Sequence, residues 1–136
     1  MRTLSIYCLS LLFCSAVVAA EPWLPLSYAE QPTRGFNRLI SESDANQETW
    51  VKDSDAVILE YLGAPDEVEV ISKQGDNQLL EVTLMQPLNR AGVESALYLL
   101  QLSRTESGTW QLKKARMAWR CVDQGRFDTR RCQDAY

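Results

Sequence analysis

The sequence predicts an α+β fold: an N-terminal helix packed on a curved four-stranded antiparallel β-meander, tied by one C-terminal disulfide. Three observations predict it. A capped helical pattern ends at Gly63-Ala64-Pro65, and beyond it the apolar period changes from helical to twofold. The strand-like runs after Pro65 are separated only by turn clusters, and helix followed by consecutive strands is the α+β order. Cys121 and Cys132 then close a short loop near the end of the last run.

The first residues read as a secretory leader. Arg2 gives a positive start, Leu4 to Val18 is almost wholly apolar, and Ala19-Ala20 precedes Glu21-Pro22. That is the order of a charged region, an apolar region and a small-residue cleavage site. The apolar run is shorter than the roughly 20 residues a membrane span needs. A signal peptide over 1–20 is therefore expected, with no stable membrane insertion after its removal. Cys14 follows the bulky Phe13, which argues against a lipidated cysteine. Cys8 and Cys14 are expected to leave with the leader.

Residues 21–49 are expected to form an extended, irregular lead-in to a single α+β domain over 50–136. Pro22, Pro25 and Pro32 argue against a long helix or a central strand. Trp23, Leu24, Leu26, Tyr28, Phe36, Leu39 and Ile40 argue against free disorder, so the segment is read as lying across the domain. A short turn of helix is expected near Phe36–Ile40, and a polar surface loop over Ser41–Thr49.

The helix itself starts at Asp53-Ser54-Asp55, where Asp53 or Ser54 caps the first amides and Asp55 suits the positive first turn. Val57, Ile58, Tyr61 and Leu62 fall on one face, Gly63 is placed to end the helix, and Pro65 blocks its continuation. Trp50 and Val51 extend the apolar stripe backwards.

Four strands follow. The first is expected over about Glu67–Lys73, bracketed by Val68 and Ile71, before the turn cluster Gln74-Gly75-Asp76-Asn77. The second runs from Gln78 to Gln86, with Leu80, Val82 and Leu84 on one face, and Pro87–Gly92 is read as a loop. The third, Glu94–Ser103, is apolar on both faces, which marks a central strand covered on each side. After the hairpin turn Arg104–Gly108 the fourth strand runs from Thr109 to Cys121. Its apolar residues change phase: Trp110 and Leu112 are even, Ala115, Met117, Trp119 and Cys121 odd. A β-bulge near Lys113-Lys114 restores a common face. Arg116 and Arg120 then share the opposite face.

In outline, helix followed by a bent meander over about Asp53–Cys121 resembles the cystatin-like or nuclear-transport-factor-like cone. The ending from Trp119-Arg120-Cys121 to Arg131-Cys132, with Gly125-Arg126 inside, resembles the Cys-loop-Cys ending of small exported bacterial proteins. Neither resemblance implies an activity, because fold alone does not carry function.

Once the leader is removed only Cys121 and Cys132 remain, and an even pair in an exported domain reads as a disulfide. Two thiolates without any histidine do not complete a zinc site, so neither metal nor cofactor is expected. The lack of histidine also excludes Ser-His-Asp and Cys-His catalysis. No P-loop, dinucleotide fingerprint or Gly-x-Ser-x-Gly occurs. The net charge is −4, which does not favour nucleic acid or an anionic membrane. The charge is uneven, however. Glu21–Glu69 holds eleven acidic residues against Arg34, Arg38 and Lys52, and Lys113–Arg131 holds seven basic ones against Asp123 and Asp128. The two ends either complement one another within the molecule or leave a basic surface patch.

Three places remain for function. The disulfide loop offers Arg126, Phe127, Arg130 and Arg131 beside Trp119, a set suited to a carboxylate, a phosphate or a protein partner; alternatively, its arginines pair with the domain's own carboxylates. Trp23, Trp50, Tyr61, Tyr98, Trp110 and Trp119 either line a pocket between helix and sheet or fill the core. Asp53, Asp55, Glu60, Glu67 and Glu69 supply carboxylates, though capping and solvated strand faces account for them as well. No catalytic residue is assigned. The leading expectation is a non-catalytic exported, periplasmic or secreted binding or accessory domain acting on a protein or small ligand. The alternatives are an inhibitor of an exported hydrolase that inserts the Cys121–Cys132 loop, and a small carboxylate-based enzyme.

Overall fold

A computed structural model describes residue 25 and residues 27–133. The expected leader, its Cys8 and Cys14, and Trp23 lie outside the described residues. The chain forms strand β1 (Ala29–Gln31), helix α1 (Arg34–Ala45), a 3-10 turn (Trp50–Lys52), helix α2 (Ser54–Tyr61) and strands β2 (Glu69–Gly75), β3 (Leu79–Arg90), β4 (Val93–Arg104) and β5 (Trp110–Cys121). The strands make one antiparallel sheet in the order β1-β5-β4-β3-β2. The α+β class and the disulfide are as the sequence predicts. The sheet has five strands, because the lead-in contributes β1.

The lead-in differs most from expectation. Residues 34–45 are a 12-residue helix, not an extended segment. All of its prolines lie upstream: Pro32 precedes the N-cap Thr33, and no proline follows until Pro65. Proline stops a helix only from within or just beyond it, so a proline-rich approach is compatible with a helix after it. Ile40 and Ser43 are buried one turn apart, and Phe36 packs against the same core. The expected loop Ser41–Thr49 is therefore helical to Ala45. The helix ends on Gln47, a non-glycine residue at φ 59°, whose amide and that of Glu48 reach back to Asp44 O (3.0 Å) and Ser43 O (2.9 Å).

Helix α2 follows its sequence closely. The Asp53 carboxylate accepts from the amides of Asp55 (2.9 Å) and Ala56 (3.3 Å), satisfying two of the donors a helix start leaves open. Gly63 at φ +81° and Ala64 send their amides back to Glu60 O (3.1 Å) and Leu59 O (2.8 Å), which closes the other end.

β4 is the central strand, and both of its faces are covered. On one face Leu80, Val82, Leu84, Leu100, Leu102, Trp110, Leu112 and Ala115 pack with Ile40, Val51, Val57 and Ile58 from the helical layer. On the other, Leu97 and Ala118 pack with Phe127, flanked by Tyr28, Ile71 and Met85. The bulge falls where the phase change requires it. Pairing passes from Gln101↔Lys114 to Leu102↔Leu112, leaving Lys113 as the extra residue. Trp110, Leu112 and Ala115 consequently share the helical face.

The expected loop Pro87–Gly92 is mostly strand. β3 runs to Arg90 and turns at Ala91-Gly92, both at positive φ (50° and 72°), so the chain reverses within two residues. Pro87 is tolerated because β2 pairs with β3 only as far as Met85, so no ladder on that side needs its missing N–H.

Candidate functional site

The disulfide loop is held to the sheet by its own side chains. Cys121 and Cys132 are bridged, with Cα atoms 5.4 Å apart. Asp128 pairs backbone to backbone with Trp119, 2.9 Å in both directions, and so lies against β5 like a further strand residue. Its carboxylate accepts from Ser27 Oγ (2.6 Å), the Thr129 amide (2.7 Å) and Arg130 Nε. The Ser27 hydroxyl, then the Thr129 amide and Arg130, hold the Asp128 carboxyl below the ordinary carboxylate value. Trp119 Nε1 donates to Arg130 O at 2.7 Å.

This changes the reading of the predicted loop residues. Phe127 is 2% exposed, because its ring plugs the apolar patch of Leu97 and Ala118 on the face away from the helices. It is a core residue and presents no surface to a partner. The Arg120 guanidinium lies 5.1 Å over that ring and bonds Glu94 at 2.9 Å. Trp119 and Arg130 are engaged in fastening the loop, and Arg126, Arg130 and Arg131 are all exposed to solvent. Arg130 pairs inside the loop and Arg120 with the neighbouring strand; Lys114 reaches back, to Glu30 at 3.5 Å.

The aromatics fill the interior. Phe36 meets Tyr61 edge-on at 5.2 Å and Trp50 at 6.3 Å, and Tyr98 packs on the same core. Burial pushes the Tyr61 and Tyr98 hydroxyls above their ordinary values. Of the carboxylates, Asp53 caps α2 and Asp55 pairs with Lys73 at 2.8 Å, while Glu60, Glu67 and Glu69 are exposed on different elements. Among the described residues no group of three or more His, Cys, Asp or Glu side chains is placed to hold a metal. No helix there is long and apolar enough to cross a membrane.

The feature that sequence reading missed is a groove between α2 and the edge strand β2. It encloses about 260 Å³ and is lined by Ile58 and Leu59 of α2, Val68, Val70 and Lys73, with Val82 and Leu84 of β3 as its floor. It exists because β2 extends the sheet one strand beyond the reach of the helical layer. Leu59 is 44% exposed and Val70 56% exposed, although both are apolar. Lys73 and Asp55 join its walls by their ion pair. A signal was present in the sequence. Leu59 lies off the stripe of Val57, Ile58, Tyr61 and Leu62, so one apolar residue of α2 is left without a core to enter. A second hollow, about 460 Å³, lies near the β2–β3 turn, but Glu81 and Gln101 in its wall already bond one another at 2.9 Å.

Compared with protein-family models, with curated proteins and with solved structures, the chain matches none.

Proposed function

We propose that this chain is an exported, non-catalytic binding domain, periplasmic or secreted, and that its ligand surface is the α2–β2 groove. The observation that carries the reading is the pair of apolar walls left open between α2 and β2, with Leu59 and Val70 half in solvent. A partly exposed apolar concavity with one polar feature at its wall is the usual form of a ligand site. The leader-like first twenty residues and the Cys121–Cys132 bridge support export, since disulfides persist in oxidising compartments. The helix-then-meander order that resembles a cystatin-like or nuclear-transport-factor-like cone is compatible with binding at the same mouth between helix and sheet.

The test is binding of a neutral apolar fluorescent dye, N-phenyl-1-naphthylamine, to the disulfide-bonded protein and to a Leu59→Gln/Val70→Thr variant. Both substitutions are at exposed positions, so the variant is expected to melt with the wild type. The expected result is dye fluorescence with the wild type that falls severalfold in the variant. Equal fluorescence from the two proteins would refute the assignment of the groove.

A further inference from the structure

We infer that Cys132 is the sulfur through which the Cys121–Cys132 bridge opens and closes, by thiol–disulfide exchange with a small external thiol or disulfide, and that Cys121 only resolves the exchange. The pair acts independently of the groove between α2 and β2. Its two sulfurs are bonded to one another but differently placed. Cys121 ends β5, opposite Val93, and is 1% exposed. Cys132 follows the exposed Arg131 and is half-buried. Exchange proceeds at whichever sulfur the external reagent reaches, so access selects between the two. The reagent meets Cys132, and the Cys121 sulfur is the group that leaves on opening and attacks on closing.

The strap between them, residues 122–131, is docked by contacts other than the bridge. Asp128 pairs with the Trp119 backbone, 2.9 Å in both directions. Phe127 fills the patch of Leu97 and Ala118, and Arg130 O accepts from Trp119 Nε1 at 2.7 Å. Beyond the strap the tail crosses the β3–β4 turn, where a Cβ on Gly92 would stand 2.2 Å from Gln133 O and 3.5 Å from Cys132 Cβ. Glycine at this position, with φ +72°, leaves the tail its track. These contacts hold the two cysteine Cα atoms 5.4 Å apart, a spacing that a bridge takes without moving the backbone. A docked strap therefore presents Cys121 to Cys132 at high effective concentration.

Closing runs in two steps. The Cys132 thiolate attacks one sulfur of the external disulfide, whose S–S bond breaks and releases a first thiolate. The Cys121 thiolate then attacks the Cys132 sulfur, and the mixed S–S bond breaks to release a second. Two electrons pass from the cysteine pair to the external disulfide, and the two cysteine protons end on the released thiolates. Opening is the reverse and starts with attack on Cys132.

The experiment gives the reduced, folded wild-type protein a limiting amount of iodoacetamide and locates the alkyl group by peptide mapping. Cys132 is expected to be alkylated at least about tenfold faster than Cys121, and the preference to vanish in concentrated urea. Cys121→Ser, which lacks the resolving sulfur, is expected to keep glutathione on Cys132 when given glutathione disulfide. In a glutathione redox buffer the wild-type bridge is expected to be favoured at least about tenfold more in native buffer than in urea, because only the docked strap aligns the pair. Equal alkylation of the two cysteines in the native protein, faster alkylation of Cys121, or a preference that persists in urea would overturn the inference. So would a Cys121→Ser chain that takes up no glutathione at Cys132, and a bridge equally favoured in urea would overturn the role of the strap.

Discussion

The two edges of this sheet are treated in opposite ways. Along β5 the outer edge is covered three times. The Asn37 side-chain amide of α1 donates to Leu112 O (2.8 Å) and accepts from Leu112 N (2.9 Å), imitating a strand partner. β1 pairs with Ala115, Arg116 and Met117, and Asp128 pairs with Trp119. Three pieces from distant parts of the chain satisfy one row of backbone groups. Along β2 no described strand follows. A bulge at Ile71 and the charged Glu69 and Lys73 blunt that edge against pairing, and its helix-side apolar face stays open. The difference teaches where to look for function. The distinctive disulfide loop closes an edge, while the plain-looking strand β2 borders an accessible apolar groove.

That contrast can be broken at the fastened edge first. Phe127→Ala removes a buried ring and is expected to destabilise the domain by about 3–5 kcal/mol, the range for emptying an aromatic site in a core. A thermal melt checks it, and a melt unchanged by the substitution would return Phe127 to the surface. Cys132→Ser is expected to cost about 2–3 kcal/mol under oxidising conditions, from the loop of 11 residues that the bridge closes. Denaturant titration reads this directly, and coincidence with the wild type would make the bridge idle. Asn37→Ala strips two hydrogen bonds from Leu112 and is expected to cost about 1–3 kcal/mol if both backbone groups stay buried; Asn37→Asp, which keeps the acceptor alone, should fall between.

The fastened edge also carries a pH signature. Folding lowers the Asp128 carboxyl below its ordinary value, so its share of stability is complete above the unfolded carboxylate range. That share is lost as pH falls through the folded value. Asp128→Asn should therefore flatten the acid-side decline of the melting temperature; an unaltered decline would assign it to other groups, Asp76 among them. The smallest effect is expected at the open edge. Leu59→Gln/Val70→Thr should shift stability by no more than about 0.5 kcal/mol, as surface substitutions do, while removing dye binding.

What was legible in the sequence was local or periodic. Asp53 and Gly63 bound α2 through contacts within a few residues, and the change from Trp110 and Leu112 to Ala115 and Trp119 announces a bulge without reference to any partner strand. The pair Cys121 and Cys132 is close in sequence, and compartment logic joins it. What escaped is non-local. β1 is three residues long and meets β5 more than eighty positions away, so nothing in Ala29-Glu30-Gln31 identifies it as a strand. Asn37 looks like any helix-surface amide until Leu112 stands beside it. Phe127 read as a loop aromatic because a side chain that crosses to the back of the sheet leaves no periodic trace. The groove escaped for a related reason: Val68 and Val70 look like ordinary core residues, and their exposure follows only from where the helical layer ends.

Residue-resolved NMR of the disulfide-bonded protein, titrated with the neutral dye N-phenyl-1-naphthylamine, tests the contrast between the two edges most directly. Amide shifts are predicted to move at residues 55–60 and 68–73 and to stay fixed at 115–130. Shifts concentrated on the Cys121–Cys132 loop, with α2 and β2 unmoved, would contradict the account.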